Sequence, residues 1–317
     1  MALLQKIRPF FRWNAPTLSR MLARHLESAS AETPTSENYN FEDKVAVVTG
    51  GASGIGFAIT RELLRSGVTA VNIIDIDQEK LVESEKVLKD EFGNDRVITY
   101  KADVADTEQM DTIFRNTSQE LEKIDIIVNN AGILDDTNWE AQLDTNIRGS
   151  VIGTLLGMQY LSKSSSGHGG VIVNLGSCMS IVPASGFPIH TLTQFGIAGF
   201  TRALGTMRLY QRTGVKVFGY CPSFTNTNAL KNLEEKTINA NFAEDIEEQM
   251  KTTSLQDPEN VAKGLVEILE VAKPGSIWIV ENNESPFELE FPKFIPDGKS
   301  DEKESEQSAT TTTEAQA

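Results

Sequence analysis

The amino-acid sequence predicts a doubly wound α/β domain, in which helices cover both faces of a largely parallel sheet. Seven short apolar runs recur between residues 44 and 280, and segments with helical periodicity separate them. A glycine-rich turn joins the first run to the first helix. Strands that are buried on both faces give continuous apolar runs, and alternating strands and helices are typical of parallel sheets. We therefore expect a seven-stranded parallel sheet.

The individual elements follow from runs of β-branched residues and from apolar residues at helical spacing. Predicted strands cover residues 44–49, 70–74, 96–101, 124–128, 170–175, 215–219 and 276–280. Predicted helices cover residues 55–66, 78–91, 106–121, 139–161, 188–209 and 258–271. Gly67 and Gly93 follow the first two helices and act as stop signals. One domain over residues 41–292 contains all of these elements.

Composition excludes several classes of protein. The chain has 317 residues and a formal net charge of −16, which argues against nucleic acid or an anionic membrane surface as a partner. No apolar run approaches the ~18 residues that a membrane-spanning helix needs. Cys178 and Cys221 are the two cysteines, and neither has the spacing of a metal ligand. We expect no metal, no disulfide scaffold and a reducing compartment.

Both ends of the chain differ from the predicted domain. Residues 1–26 carry five basic residues, no acidic residue and apolar residues at helical spacing. This pattern is typical of a mitochondrial transit peptide, so residues 1–40 are predicted as a basic targeting segment and linker. A solvated amphipathic arm on a cytoplasmic protein is the alternative. Residues 293–317 contain few apolar residues and are predicted to form a disordered acidic tail.

The glycine-rich turn carries the strongest chemical prediction. Residues 49–56 read TGGASGIG and connect the first strand to the first helix. Such a turn lets a pyrophosphate approach the helix N-terminus, as in Rossmann-type domains. The cofactor contacts predicted there are Gly50, Ser53, Gly54, Ile55 and Gly56.

Asp75 lies at the end of the second strand, 25 residues after Gly50. A carboxylate at that place accepts hydrogen bonds from ribose hydroxyls and repels a 2′-phosphate. NAD(H) is therefore favoured over NADP(H). The alternative is that Asp75 only begins a turn.

Several ordered motifs resemble the short-chain dehydrogenase/reductase family. They are TGGASGIG, the pair Asp103–Val104, NNAG at residues 129–132 and DTNIRGSVIGT at residues 144–154. The resemblance extends over residues 42–292. Residues 125–202 and the closing GSIWIVE are most similar to 15-hydroxyprostaglandin dehydrogenases and insect alcohol dehydrogenase-like proteins. The family implies a single Rossmann-type domain that works as an oxidoreductase.

The resemblance assigns further cofactor residues. It places Asp103 and Val104 beside the adenine, makes Asn129 hold the strand end near the cofactor ribose, and places Asn146 at a proton-relay water. The remaining cofactor positions that it implies are Ala131, Gly132, Pro222 and Thr225.

The catalytic segment departs from the family pattern. The family uses a serine, a tyrosine thirteen residues later and a lysine four residues beyond it. In this sequence Ser177, His190 and Gln194 occupy those positions. Gln194 has no charge with which to lower the pKa of a neighbouring acid, whereas a histidine with an ordinary pKa of ~6.5 accepts a proton unaided. Ser223 replaces a glycine of the family and is expected to crowd the nicotinamide end.

Two functions compete on these residues. The first is an NAD(H)-binding protein with impaired or lost oxidoreductase activity. The second is an active NAD-dependent dehydrogenase of a small hydrophobic secondary alcohol or ketone, with His190 as base and Ser177 orienting the substrate. A nucleophilic pair of His190 and Cys178 lacks an orienting acid.

The sequence says less about the substrate pocket and the oligomeric state than about the cofactor site. Residues 225–255 form an insert whose Phe242, Ile246 and Met250 share one helical face, so the insert is either a hydrophobic lid or an ordinary packing helix. The resemblance implies that the helix with Met158, Tyr160 and Leu161 pairs between subunits, so a homodimer is expected. The alternative is that these three residues only belong to the core.

Overall fold

A computed structural model describes residues 40–291 of the chain. The predicted targeting segment and linker, apart from Asn40, and the predicted acidic tail lie outside the described residues. The described residues form alternating strands and helices that begin at Val45. None of the helices within residues 40–291 is both long enough and apolar enough to cross a membrane.

Eight strands and nine helices lie in the described part of the chain, besides short 3₁₀ turns and one π-helical segment. The strands are β1 (Val45–Thr49), β2 (Ala70–Asp75), β3 (Val97–Lys101), β4 (Ile126–Asn129), β5 (Gly170–Leu175), β6 (Val215–Pro222), β7 (Ile277–Val280) and β8 (Phe287–Glu288). The helices are α1 (Gly54–Arg65), α2 (Gln78–Phe92), α3 (Thr107–Glu120), α4 (Trp139–Leu143), α5 (Ser150–Leu161), α6 (Pro188–Leu204), α7 (Met207–Thr213), α8 (Ala240–Lys251) and α9 (Pro258–Ile268).

The strands form one sheet in the order β3-β2-β1-β4-β5-β6-β7-β8. The first seven pair in parallel, which confirms the predicted doubly wound α/β sheet. The predicted count of seven was wrong, because β8 adds an eighth strand antiparallel to β7. β8 has only two residues, which is too short for any periodicity to predict it.

Two predicted helices are interrupted in the structure. The helix expected over residues 139–161 consists of α4, a π-helical segment (Asp144–Gly149) and α5. Single turns of π-helix occur mostly inside α-helices and frequently at functional sites. The helix expected over residues 188–209 ends at Leu204, and α7 follows. Gly205 is the C-cap residue of α6, and a side chain there would collide with the backbone of Gly275.

Packing on both faces of the sheet explains why apolar strands alternate with helices along the sequence. On one face of the sheet, α3 and α5 pack Phe114 and Ile152 against strand residues such as Val47, Ile127 and Ile172. On the other face α1 packs against α9. Each central strand is therefore covered on both sides, and this coverage selects continuous apolar runs.

The insert after β6 packs on the loop that follows β5. Ile246 of α8 is buried in one cluster with Met179, Ala184 and Phe187, and Met250 is partly buried against the same cluster. A side chain at Gly186 would come within 2.7 Å of Ile246 Cβ, so the helix and the loop are in direct contact. This contact agrees with an ordinary packing helix, and the hydrophobic lid stays a prediction.

Candidate active site

A cavity of about 370 Å³ lies at the carboxyl ends of β1, β2 and β4. Open α/β sheets bind ligands at this edge, where the strand order reverses. The predicted cofactor residues that line it are Gly50, Ser53, Gly54, Ile55, Asp75, Asp103, Val104, Ala131 and Gly132. The lining residues that the sequence analysis did not select are Ile74, Ile76, Lys80, Ala102, Asn130, Ile133, Thr145, Thr227, Asn228 and Ala229.

The N-terminus of α1 faces this cavity without a side-chain cap. Ser53 is the N-cap residue, but its side chain accepts no hydrogen bond from the helix, and the first turn contains no acidic residue. Gly54 and Ile55 of that turn line the cavity. The first N–H groups of a helix need acceptors and carry partial positive charge. This end of the cavity therefore suits an anion such as a pyrophosphate.

The glycine loop is held by one amide that the sequence analysis missed. The Nδ2 group of Asn130 donates to the carbonyl oxygens of Thr49 (2.9 Å) and Gly50 (3.1 Å). A Cβ at Gly56 would lie 2.2 Å from the Gly50 oxygen and 2.4 Å from Asn130 Nδ2. Gly56 is thus required for close packing of loop and helix, and it does not itself line the cavity. Asn130 belongs to the NNAG motif, which could have identified it.

Asp75 is fixed at the edge of the cavity. Its Oδ2 accepts a hydrogen bond from the Ala52 N–H (3.2 Å), and its Oδ1 accepts one from the Asp77 N–H (3.1 Å). Lys80 lines the same part of the cavity and forms an ion pair of 3.0 Å with Asp77. Two carboxylates and one cation therefore surround the end of β2, and the local charge is negative.

Three other predicted cofactor residues do not line the cavity. Asn129 is buried, and its Nδ2 donates to Asn174 (2.8 Å) and Thr154 (3.1 Å), so its side chain connects β4 with β5 and α5 inside the core. Pro222 is buried at the end of β6, and Thr225 donates to the Ser223 carbonyl oxygen at 2.9 Å. Asn129 therefore supports the strand end, and its Oδ1, like Gln194 Oε1, is buried without a hydrogen-bond partner.

Asn146 and His190 come together at the loop after β4. The side chain of Asn146 accepts from the Ile133 N–H (2.7 Å), donates to the Ile133 oxygen (2.9 Å) and donates to Thr193 Oγ1 (3.1 Å). His190 Nδ1 lies 3.1 Å from the same Ile133 oxygen. A carbonyl only accepts, so Nδ1 carries the proton when the ring is neutral, and Nε2 is left as an acceptor.

Burial lowers the pKa of His190 to about 4. The hydrogen bond to Ile133 and the negative charge of Asp136 oppose this effect but do not cancel it. At pH 7 such a pKa leaves roughly one imidazole in a thousand protonated. The structure therefore corrects the ordinary pKa expected from the sequence: His190 is neutral near pH 7 and is a weak base.

Gln194 contains a buried acceptor without a partner. Its side chain is on the same face of α6 as His190, one turn later, and the residue is 5% exposed. Its Nε2 donates to Thr193 Oγ1 at 3.4 Å, whereas its Oε1 has no hydrogen-bond partner. An unpaired buried acceptor is costly, so a ligand hydroxyl that donates to Oε1 would remove that cost.

Ser177 and Ser223 use their hydroxyls locally. Ser177 Oγ accepts from the Met179 N–H at 3.2 Å, and no hydrogen bond within residues 40–291 joins it to His190. Ser223 Oγ accepts from Gln256 Nε2 at 3.2 Å, so buried Gln256 holds this hydroxyl. The structure thus joins Asn146, His190 and Gln194 through Thr193 and leaves Ser177 outside that network.

The cysteines do not provide a nucleophile. Burial raises the pKa of Cys178 to about 11 and the pKa of Cys221 to about 12, so both thiols are protonated at neutral pH. The thiolate is the reactive form, which argues against a His190–Cys178 pair. Across residues 40–291, no group of three His, Cys, Asp or Glu side chains has an arrangement that could hold a metal ion.

A family model described as short chain dehydrogenase matches residues 44–238. The chain belongs to the short-chain dehydrogenase family. The match contains the glycine loop, the Asn146 segment and the whole of α6, and it confirms the resemblance that the motifs indicated.

Relatives of this short-chain dehydrogenase cover most of the domain. A Bos taurus protein named 15-hydroxyprostaglandin dehydrogenase (NAD+) is 35% identical over 230 residues, which are 72% of this chain and 86% of the relative. Alcohol dehydrogenase 1 of Ceratitis cosyra is 29% identical over 236 residues, or 74% and 91% of the two chains. The crystal structure of levodione reductase shares the fold, with a TM-score of 0.67 and 22% identity over 76% of this chain and 97% of that one.

Proposed function

We propose that this short-chain dehydrogenase binds NAD(H) and has impaired or lost hydride-transfer activity. The proposal rests on a contrast between the cofactor-binding residues and the residues at the catalytic positions. The end of the cavity at α1 and Asp75 retains the groups that a dinucleotide needs. Neither His190 nor Gln194 lines this cavity, but the His190 ring contacts its lining residue Ile133, and the two residues stand where the family uses a tyrosine and a lysine.

The described side chains fit a nicotinamide dinucleotide. The free N–H groups of α1 would bind its pyrophosphate, and Asp75 would accept from a ribose hydroxyl. Gln194 Oε1, which is buried without a partner, would accept from the hydroxyl of a second ribose. A dinucleotide bound in this way supplies the hydride acceptor or donor of the family's reaction. The bovine relative is named for NAD+, which supports the same preference here.

His190 and Gln194 are poorly suited to the proton transfer that the reaction requires. Alcohol oxidation needs a base, and His190 offers Nε2, but a pKa of about 4 makes it a weak one. Ketone reduction needs an acid, and the protonated imidazole is scarce at neutral pH. Nδ1 faces the Ile133 carbonyl and the Asn146 amide, neither of which titrates, so it offers no exit for a proton. Gln194 has no charge with which to change this balance.

An active dehydrogenase of a small hydrophobic secondary alcohol or ketone is the second candidate. One observation favours it: the hydrogen bond from Nδ1 to Ile133 orients the ring and leaves Nε2 free to accept an alcohol proton. In that case His190 is the base, and turnover depends on it. The two candidates share the cofactor and differ in the rate of hydride transfer.

Cofactor titration tests the shared part of both candidates. We expect NADH to bind at least about tenfold more tightly than NADPH, because Asp75 pairs with a ribose hydroxyl and repels a phosphate. In Asp75→Ser this ratio should fall by about tenfold or more, since a hydrogen bond to a charged group is lost and the repulsion disappears. Fluorescence titration of both coenzymes measures the ratio.

Asp95→Ser is the matched control for this titration. Asp95 is an exposed carboxylate in the turn after α2 and lies outside the cavity lining. Its replacement should leave both affinities unchanged. Absence of affinity for either coenzyme would overturn the proposed function, and an unchanged ratio in Asp75→Ser would overturn the role of Asp75.

A homodimer through α5 and α6 is a further part of the proposal. Leu155 of α5 is 53% exposed, and Leu192 and Phe195 of α6 are 61% and 45% exposed. Large apolar side chains that are exposed in the single chain are typical of protein interfaces where they form a patch. We expect light scattering to give twice the chain mass of 34.8 kDa, and Leu155→Glu with Phe195→Glu to return it to 34.8 kDa. Val82→Glu, at an exposed apolar residue of α2, is the control, and a monomeric natural protein would contradict the dimer.

A further inference from the structure

Asp136 is a buried carboxylate that neither the motifs nor the proposed chemistry uses. It lies in the turn before α4 and is 1% exposed. Its Oδ2 accepts from the Ile189 N–H, and its Oδ1 accepts from the His190 N–H and from Gln142 Nε2, each at 2.8 Å. No ion pair within residues 40–291 includes it. A buried carboxylate without a cation is costly, and three hydrogen bonds offset that cost.

The start of α6 explains what this carboxylate does. The N-cap residue Phe187 has no side chain that can cap, and Pro188 has no N–H group. The next two N–H groups, of Ile189 and His190, are the ones that Asp136 accepts. The helix that carries His190 is therefore capped by a side chain from a different loop, more than fifty residues earlier. A negative charge at a helix N-terminus is favourable.

The same loop also holds the imidazole of His190. Ile133 lies three residues before Asp136, and its carbonyl oxygen is 3.1 Å from His190 Nδ1. Residues 133–136 thus contact His190 twice, at its backbone N–H and at its ring. The conformation of residues 133–136 therefore fixes the distance between the contact with the His190 N–H and the contact with its ring.

Two amide side chains fix this loop from the helical segment that follows. Gln142 is fully buried, donates to Asp136 and accepts from the Asp135 N–H at 2.8 Å. Asn146, four residues later, binds both backbone groups of Ile133. The loop is therefore held at both of its ends.

We propose that Asp136 is a positioning residue, which caps α6 and thereby holds the His190 imidazole against the Ile133 carbonyl. Its role concerns the geometry of His190 and is independent of whether the protein turns over a substrate. A failure of the dehydrogenase proposal would leave it standing, because the measured quantity is the state of the ring.

The test is a histidine ring titration by NMR in the full-length protein. The chain has only three histidines, so His190→Phe assigns the ring signal of His190. In the natural protein we expect the Nδ1–H tautomer and an apparent pKa near 4. In Asp136→Asn we expect a mixture of tautomers and a pKa that rises towards 6.5, because the released ring becomes accessible to water.

The direction in which the pKa of His190 changes distinguishes a positioning role of Asp136 from a purely electrostatic one. Asp136 is the charged group that acts on this imidazole, whose other close partners, Ile133, Asn146 and Thr193, are neutral. If Asp136 acted only through its charge, Asp136→Asn would lower the pKa of His190 further. A fall in the pKa, or an unchanged pKa and tautomer, would therefore overturn the proposal.

Two more variants complete the experiment. Asp135→Asn changes the neighbouring carboxylate, whose side chain bonds Thr137 and not α6, and it should leave the His190 signal unchanged. Asp136→Glu keeps a carboxylate that can accept from the Ile189 and His190 N–H groups. We expect this conservative variant to retain the Nδ1–H tautomer, and to fold even where Asp136→Asn does not. A His190 ring that behaves in Asp136→Glu as it does in Asp136→Asn would contradict the capping geometry.

Discussion

The double substitution His190→Tyr with Gln194→Lys is expected to raise NAD-dependent oxidation of secondary alcohols by at least about 10²-fold. General acid–base groups contribute about 10²–10⁴-fold, and a phenol beside an ammonium ion has its pKa lowered towards neutral pH. Asn146 and Ser177 remain in place, so the family's full set of side chains is restored. Initial rates over a panel of alcohols measure the gain.

Single variants and a pH profile show which candidate function is correct. If the natural protein is active through His190, its rate should rise with pH through about 4, where the imidazole loses its proton, and be flat above that pH. His190→Phe should then abolish the rate, and the double substitution should bring no gain. If hydride transfer is impaired, His190→Phe changes little. No gain in the double variant of an inactive protein would show that another part of the site prevents turnover.

Gly56→Ala is expected to weaken NADH binding by at least tenfold and to lower the melting temperature. The added Cβ would lie 2.2 Å from the Gly50 oxygen and 2.4 Å from Asn130 Nδ2. Neither neighbour can move freely, since Asn130 holds the Gly50 carbonyl by a hydrogen bond. Helix α1 must therefore shift away from the loop, and its N–H groups leave the cavity.

Gly199→Ala is the matched control for Gly56→Ala. Gly199 is also a helical glycine, but a Cβ there meets nothing within 4 Å. Gly199 is exposed on the same face of α6 as Leu192 and Phe195, so light scattering must first show that the oligomeric state is unchanged. The melting temperature should then stay the same or rise, because alanine is a better helix former than glycine by about 1 kcal/mol. NADH binding should be unchanged. Calorimetry measures the NADH affinity of both variants. Equal NADH affinities would contradict the role of the glycine loop.

The sequence by itself determined the sheet and the glycine loop. Continuous apolar runs predicted the seven parallel strands, because burial on both faces makes most positions of a strand apolar. The turn over residues 49–56 predicted the cavity, because chain direction and glycine content decide where an anion can approach a helix. Asp75 was predicted for the same reason, since it directly follows a predicted strand.

Only the tertiary structure decided how the side chains around His190 interact. Asn129 faces the core and Asn130 holds the glycine loop, although the two are adjacent identical residues in one motif. Asp136 reaches a helix more than fifty residues later. The pKa of His190 depends on how deeply α6 packs against the loop after β4. Local sequence patterns report spacing along the chain, whereas hydrogen bonding and desolvation depend on which distant groups meet when the chain is folded.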